Sequence, residues 1–210
     1  MLKELQNEGN ASLALAAADE VLKLVPGSEL LVKAVTNLHR QYQLKRLGTF
    51  LSVAELDAKY LEEIVNEPGT QELFLEYVSK VINTPSSLAC AALALVYRSD
   101  GLRPSMKILI SNSLSNINSE ILDFFIGIME HAESIGICDT TKGARIQVHN
   151  TPLKLPYTVA EFFIQDLQRR NLISSSDVSE EHKLQCVDIN NISKLIFKFL
   201  KEAREVVSRA

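Results

Sequence analysis

Four histidines and three cysteines are the residues of this chain whose chemistry best suits metal binding or nucleophilic attack. Paired zinc ligands often lie a few residues apart, as in CxxC motifs or in two histidines on one helical turn. The chain has neither spacing, because these residues are scattered along it. They are His39, His131, His149, His182, Cys90, Cys138 and Cys186. The sequence therefore predicts no metal site, and it predicts free, buried thiols in a reducing compartment.

Acid–base and nucleophilic catalysis have only weak candidates. The adjacent carboxylates of Asp19-Glu20 and Glu62-Glu63 point about 100° apart around a helix, so neither pair presents both groups to one substrate. His131 and Cys138 could meet across a helix end, but no oxyanion donor can be identified beside them. The GxSxG, Walker, GxGxxG and HExxH motifs are absent. We expect no enzymatic activity, cofactor or small-molecule substrate. A further alternative is an enzyme whose site is formed by residues far apart in the sequence, without a linear motif.

Basic side chains near the carboxyl end are the candidates for contact with a macromolecule. Arg169 and Arg170 end a predicted helix over Tyr157–Arg170, and Lys183 follows it. Such side chains neutralise phosphates in nucleic-acid complexes. Acidic residues accompany them: Glu161, Asp166, Asp177, Glu180 and Glu181. Charge therefore disfavours nucleic acid and favours a protein partner or a second copy, and we expect removal of both arginines to leave the fold intact.

Composition and charge are those of a globular protein. Of 210 residues, 46% are hydrophobic and 23% are charged, which suffices for a sizeable core. Residues 1–100 hold 9 Lys and Arg against 13 Asp and Glu, and residues 101–210 hold 13 against 13. Neither half has the basic excess of a nucleic-acid-binding domain. The amino-terminal pattern is not that of a signal peptide, and contact of residues 1–40 with a membrane surface is less expected than packing in the core.

Apolar periodicity predicts helices for most of the chain. The run Leu88–Val96 has no polar face, so it predicts a buried helix around which the others pack. The other predicted helices are Leu13–Leu24, Glu29–Leu51, one from a capping box at Ser52–Glu55, one capped by Thr70, Met106–Ile117, and one from Asn118 to Gly136. Short connections between them favour a bundle.

The carboxyl-terminal part combines helices with short strands. The predicted strands are Arg145–His149, Leu172–Ile173 and Leu184–Val187. Between the first two lies the helix from Tyr157, with Val159, Phe162, Phe163 and Leu167 predicted to face inward, and a last helix is capped by Asp188 or Asn190. We predict a mainly α fold, with an N-terminal helical bundle over residues 1–100. Residues 101–210 form a helical region that ends in a winged-helix-like module, and the two parts can form one unit.

Four segments carry a resemblance to a known group of proteins. They are LVPGSELL, QYQLKRLGTFL, EYVSKVINTPSSLACAALALVYRSDG and DLQRRNLI. Together they resemble a family of uncharacterised bacterial all-helical proteins of similar length. The resemblance covers most of the chain and implies a cytoplasmic bacterial protein, with a role in defence or stress. It transfers no functional residue.

Two functions follow from these observations. The first is a non-enzymatic interaction protein that binds another macromolecule or itself. The alternative is a small DNA-binding transcriptional regulator that uses the winged-helix-like module. Arg169, Arg170 and Lys183 are the candidate contact residues in both.

Overall fold

Residues 37–56, 58–136, 144–147, 155–175 and 186–209 are described by the structure, which is a computed structural model. Over these ranges the chain is mainly helical, as predicted, with eight helices and three short strands. They are α1 (Asn37–Val53), α2 (Ala58–Asn66), α3 (Pro68–Asn83), α4 (Ser87–Arg98), α5 (Pro104–Leu114), α6 (Ser119–Ser134), β1 (Ala144–Gln147), α7 (Tyr157–Arg169), β2 (Ser174–Ser175), β3 (Cys186–Ile189) and α8 (Asn191–Arg209). The predicted helix Leu13–Leu24 lies outside the described residues, as does the beginning of Glu29–Leu51. None of the described helices combines the length and apolar composition that crossing a bilayer requires.

Helix α4 lies at the centre of the packing. Residues Ala89 to Ala94 are fully buried, and α1, α3, α5 and α8 all contact the helix. Its alanines let neighbouring backbones approach from several sides. At its start, the Ser86 hydroxyl accepts a hydrogen bond from the Ala89 N–H at 3.3 Å, which caps the helix. The prediction of a buried central helix is confirmed.

Four aromatic rings join α1, α3 and α4. Phe50, Phe74, Tyr77 and Tyr97 lie with ring centroids 5.2 to 6.4 Å apart. The Tyr77 hydroxyl donates to the Lys107 carbonyl at 2.8 Å, which links this cluster to α5. Burial of Tyr77 and Tyr97 raises the pKa of both hydroxyls above the ordinary value. The cluster is therefore a neutral part of the core.

The end of α1 is where the sequence predicts the start of a new helix, and the predicted start is wrong, although the helix itself is present as α2. Glu55 has a φ of 56°, and its N–H donates to the Ser52 carbonyl at 3.2 Å. The next N–H, of Leu56, donates to the Leu51 carbonyl at 3.0 Å. Together these bonds form a Schellman turn that satisfies the last carbonyls of α1. Ser52 thus lies in the last turn of α1, and α2 begins only at Ala58.

The start of α3 also differs from its prediction. The helix begins at Pro68 because proline fits the first helical position, where its missing N–H is not needed. Thr70, predicted as the cap, lies inside the first turn instead, and its hydroxyl donates to the Glu67 carboxylate at 2.9 Å. The predicted cap is therefore wrong by one turn.

A three-stranded antiparallel sheet connects the carboxyl-terminal elements. Its strand order is β1-β3-β2, with Ala144 opposite Ile189 and Ser174 opposite Asp188. β1 and β3 overlap their predicted positions at Arg145–His149 and Leu184–Val187, although residues 148–149 and 184–185 lie outside the described ranges.

The predicted strand Leu172–Ile173 is wrong by two residues. Both side chains are buried, whereas successive residues of a strand point to opposite faces. Asn171, with a φ of 58°, begins a turn that allows both to enter the core, and β2 follows at Ser174. The turn is joined to α8, since the Ser193 hydroxyl donates to the Leu172 carbonyl at 2.6 Å.

Helix α8 returns to the bundle and packs on α4. The Asn190 side-chain oxygen accepts from the Ser193 N–H at 2.8 Å, which confirms Asn190 as one of the two predicted caps. Two ion pairs, Lys201–Glu133 at 3.0 Å and Arg204–Glu130 at 2.8 Å, join α8 to α6 in an antiparallel arrangement. Buried residues on both sides of residue 100 belong to one hydrophobic cluster, so the boundary proposed there crosses a shared core.

Candidate interaction surface on helix α7

One side of α7 is anchored in the core. Ala160, Phe163, Ile164 and Leu167 are buried, and the Phe163 ring contacts the Phe124 ring of α6 edge to face, with centroids 5.4 Å apart. Edge-to-face pairs of this kind add about 0.5–1.5 kcal/mol to the effect of burial itself. The contact fixes which side of α7 faces α6.

The opposite side of α7 is exposed to solvent, and we call it the α7 surface. It consists of Thr158, Val159, Glu161, Phe162, Gln165 and Arg169. Phe162 is 62% exposed and Val159 is 37% exposed, so the prediction that these two face inward is wrong. Adjacent residues point about 100° apart on a helix, and Phe163 takes the inward position. The predictions for Phe163 and Leu167 are confirmed.

Arg170 follows α7 and is directed into the molecule. Its Nε donates to the Asp166 Oδ2 at 2.6 Å, and its terminal nitrogens donate to the carbonyls of Ser115 at 2.5 Å and Asn116 at 3.4 Å. Both carbonyls follow Leu114, the last helical residue of α5, in the loop before α6. Arg170 therefore joins α7 to the loop between α5 and α6.

Asp166 is the anionic centre of this contact and is only 6% exposed. Burial by itself raises the pKa of a carboxyl group. The hydrogen bonds and charges of Arg170 and Arg169 outweigh that effect, and they hold the pKa of Asp166 below its ordinary value. The carboxylate is therefore ionised at neutral pH and paired with both arginines.

The three predicted contact residues thus have different positions. The Arg169 side chain is 78% exposed on the α7 surface, although one of its nitrogens contacts Asp166. The Arg170 side chain is 16% exposed and bonded within the chain. Lys183 lies outside the described residues. The spacing of Asp166 and Arg170, four residues apart on a helix, is a sequence signal for their pairing. The pairing of Arg170 with the carbonyls of the loop after α5 has no such signal.

Charge on the α7 surface is balanced. It has one carboxylate, Glu161, and one guanidinium, Arg169. Over the part of the chain that the structure describes, Glu161 forms no ion pair. The surface therefore combines a partly apolar centre at Phe162 with two charges of opposite sign.

Three further groups with reactive side chains, Cys90, Lys80 and Ser111, lie wholly or largely in the interior. Cys90 is buried, and burial raises the pKa of its thiol to about 12, so it stays protonated and unreactive at neutral pH. Lys80 donates to the Ser111 hydroxyl at 2.7 Å and also contacts the Glu76 carboxylate. Ser111 is fully buried and donates to the Ile108 carbonyl, so its hydroxyl is closed to a substrate. Within the described ranges, no group of three or more His, Cys, Asp or Glu could hold a metal ion.

Comparison with known proteins finds no matching family model, no matching curated sequence and no matching solved structure. The resemblance to bacterial helical proteins stays a prediction.

Proposed function

We propose that this chain is a non-enzymatic interaction protein whose α7 surface binds another protein chain. The observation that carries the proposal is the 62% exposure of Phe162 on a helix whose other side is firmly packed. Phenylalanine is enriched at the centres of protein interfaces, and the exposed ring with Val159 one turn before it and polar groups around both fits that pattern.

The secondary structure around α7 supports a winged-helix-like module as the unit that presents this surface. A helix, α7, precedes two antiparallel strands, β2 and β3, and β1 pairs with the far edge of β3. In winged-helix proteins the helix at this position is the one that reads DNA. The arrangement alone therefore supports either a protein contact or a DNA contact.

Charge distinguishes the two functions and favours protein. Specific DNA contacts require several side chains that reach phosphates and base edges. The α7 surface offers Arg169 and Gln165 for this purpose, but Glu161 repels phosphate, and Arg170 is bonded to Asp166 and to the loop after α5. DNA binding is the second candidate function, and it is favoured by the strand order and by the exposure of Arg169.

The cellular setting belongs to the same proposal. We infer a reducing, cytoplasmic location in a bacterium, with the buried thiol of Cys90 as the supporting observation. A role in defence or stress rests on the sequence resemblance alone.

Site-specific photo-crosslinking in cells tests the proposal. A photoreactive phenylalanine analogue replaces Phe162 in one variant and Tyr42 in a matched control. Tyr42 is an aromatic residue of α1 that is 56% exposed. We expect protein adducts at position 162 that are absent at position 42. Equal adducts at both positions would contradict the proposal.

A titration of duplex DNA decides the alternative function. Non-specific binding falls steeply with added salt, so the titration is made at low and at physiological salt. At physiological salt we expect the wild type to bind no duplex DNA, so that Arg169→Ala has no effect on binding. Submicromolar affinity that Arg169→Ala abolishes would favour the regulator.

A further inference from the structure

The α7 surface has charges that are arranged to complement a copy of themselves. Glu161 and Arg169 are eight residues apart, which is about 12 Å along a helix. Phe162 lies between them, near Glu161. When a second copy of the helix is placed antiparallel, its arginine end lies beside the glutamate end of the first. Both opposite-charge contacts then form at once, because a two-fold axis generates the second from the first.

We propose that the α7 surface binds the α7 surface of a second copy of this chain, antiparallel about a two-fold axis. The inference rests on the proposed function and names its partner. The axis passes between the two helices at the level midway between Phe163 and Ile164, so that the two Phe162 residues are offset by about 4.5 Å along the helix direction. Glu161 has the same offset of about 4.5 Å, less than one helical turn, from Arg169 of the second copy. Glutamate and arginine side chains span this distance between helices that pack about 8–10 Å apart.

The bonds already made within each chain are compatible with this contact. Arg169 contacts Asp166, but a guanidinium has five N–H donors and most of this side chain is exposed. Glu161 has no competing ion pair among the described residues. Val159 and Gln165 lie beside Phe162 and complete the contact with one apolar and one amide group.

The size of the contact sets its strength. Stable dimers bury roughly 1,200–2,000 Å² in total, and one exposed phenylalanine per copy with its neighbours supplies less. The dimer is therefore weak and reversible, and its population rises with protein concentration. Charge reversal has a large effect on such a contact, since juxtaposed like charges cost several kcal/mol.

Analytical ultracentrifugation of the full chain over a concentration series tests the proposal. We expect the wild type to form dimers at high micromolar concentration. Glu161→Arg and Arg169→Glu should each lower the association constant at least about tenfold, because each places like charges opposite one another. An equimolar mixture of the two variants should associate again, since the arginine introduced in one variant then faces the glutamate introduced in the other. A pair of unfolded variants would not recover, so recovery also controls for the fold.

Two controls keep the test decisive. Far-ultraviolet circular dichroism checks the fold of each variant, and Arg169→Gln replaces Arg169→Glu where the new carboxylate beside Asp166 disturbs it. With Arg169→Gln we expect a weaker dimer, and mixing with Glu161→Arg should restore association only in part, because one of the two opposite-charge contacts then forms. A wild type that stays monomeric overturns the proposal, and so does a dimer that both charge reversals leave unchanged.

The outcomes separate this proposal from the proposed function. Crosslinks at position 162 to a different protein, together with a monomeric wild type, overturn self-association and leave the interaction surface in place. A monomeric wild type without crosslinks above the Tyr42 control overturns both.

Discussion

Arg170 is predicted to be a structural residue, and its removal should destabilise the fold more than removal of its exposed neighbour. Arg170→Ala leaves the carbonyls of Ser115 and Asn116 without this donor and leaves Asp166 paired only with Arg169. Breaking a buried ion pair costs about 3–5 kcal/mol, and the remaining Arg169 contact reduces that loss. We expect a decrease of about 2–4 kcal/mol in the free energy of unfolding.

Arg169→Ala is the matched control. Its ion pair is solvent-exposed on the arginine side, and such pairs contribute about 0–1 kcal/mol after screening by water and salt. Arg170→Lys keeps the charge but loses the planar guanidinium that donates to three acceptors, so we expect an intermediate decrease in the free energy of unfolding. This result would correct the sequence-based expectation that both arginines can be removed without effect on the fold.

Urea denaturation followed by circular dichroism measures these differences. For a protein of this size, about 1 kcal/mol shifts the melting temperature by roughly 2–4 °C, so thermal melts give a second reading. Equal unfolding midpoints for Arg170→Ala and Arg169→Ala would refute the reasoning, because they would mean that the contacts of Arg170 contribute no more than an exposed pair.

Three further predictions concern the same core and its charges. Asp166→Asn should destabilise the protein at neutral pH. The pKa of Asp166 is lower in the folded state than the unfolded value of about 3.9. The ionised carboxylate therefore stabilises the fold above that value, and this stabilisation is lost as pH falls through the folded pKa. The urea midpoints of the variant and the wild type should accordingly converge below about pH 4. Leu93→Asp, at a fully buried position of α4, should unfold or aggregate the chain, and an unchanged melting temperature would show that the position is accessible. Ser86→Ala should lower the free energy of unfolding by about 1 kcal/mol, because it removes the α4 cap. The control Ser87→Ala, at the next and exposed residue, should change the urea midpoint little.

The central helix could be predicted because its signal is local and unambiguous. Leu88–Val96 has no polar side chain, so burial on all sides is its only stable arrangement. The capping pattern at Ser52–Glu55 was misleading, because the same four residues form the end of α1, with Glu55 in the left-handed conformation. The Glu55 side chain points towards α4, where it pairs with Arg98 at 2.6 Å, and a contact so distant in sequence leaves no local pattern.

The candidate surface was only partly predictable for a similar reason. Phe162 and Phe163 are adjacent and identical, and the sequence signal that separates them is the helical spacing of Ala160, Phe163, Ile164 and Leu167, which favours Phe163 as the inward residue. The contact of Phe163 with Phe124 decides it, and that contact depends on how α6 and α7 pack. The hydrogen bonds of Arg170 to Ser115 and Asn116 join residues more than fifty positions apart, so they too could not be predicted from a local sequence pattern.

These two contacts together explain how the protein keeps an apolar ring in solvent. A rotation of α7 by about 100° would exchange Phe162 for Phe163 in the core. The same rotation would turn Arg170 away from the loop after α5 and leave the carbonyls of Ser115 and Asn116 without this donor, which costs about 1–3 kcal/mol for each buried group left unpaired. One phenylalanine is exposed in either rotation, so the cost of exposing a ring, about 1.5–3 kcal/mol for a full side chain, does not distinguish them. The contacts of Arg170 with this loop, together with the packing of Phe163 on Phe124, therefore favour the rotation in which Phe162 faces outward.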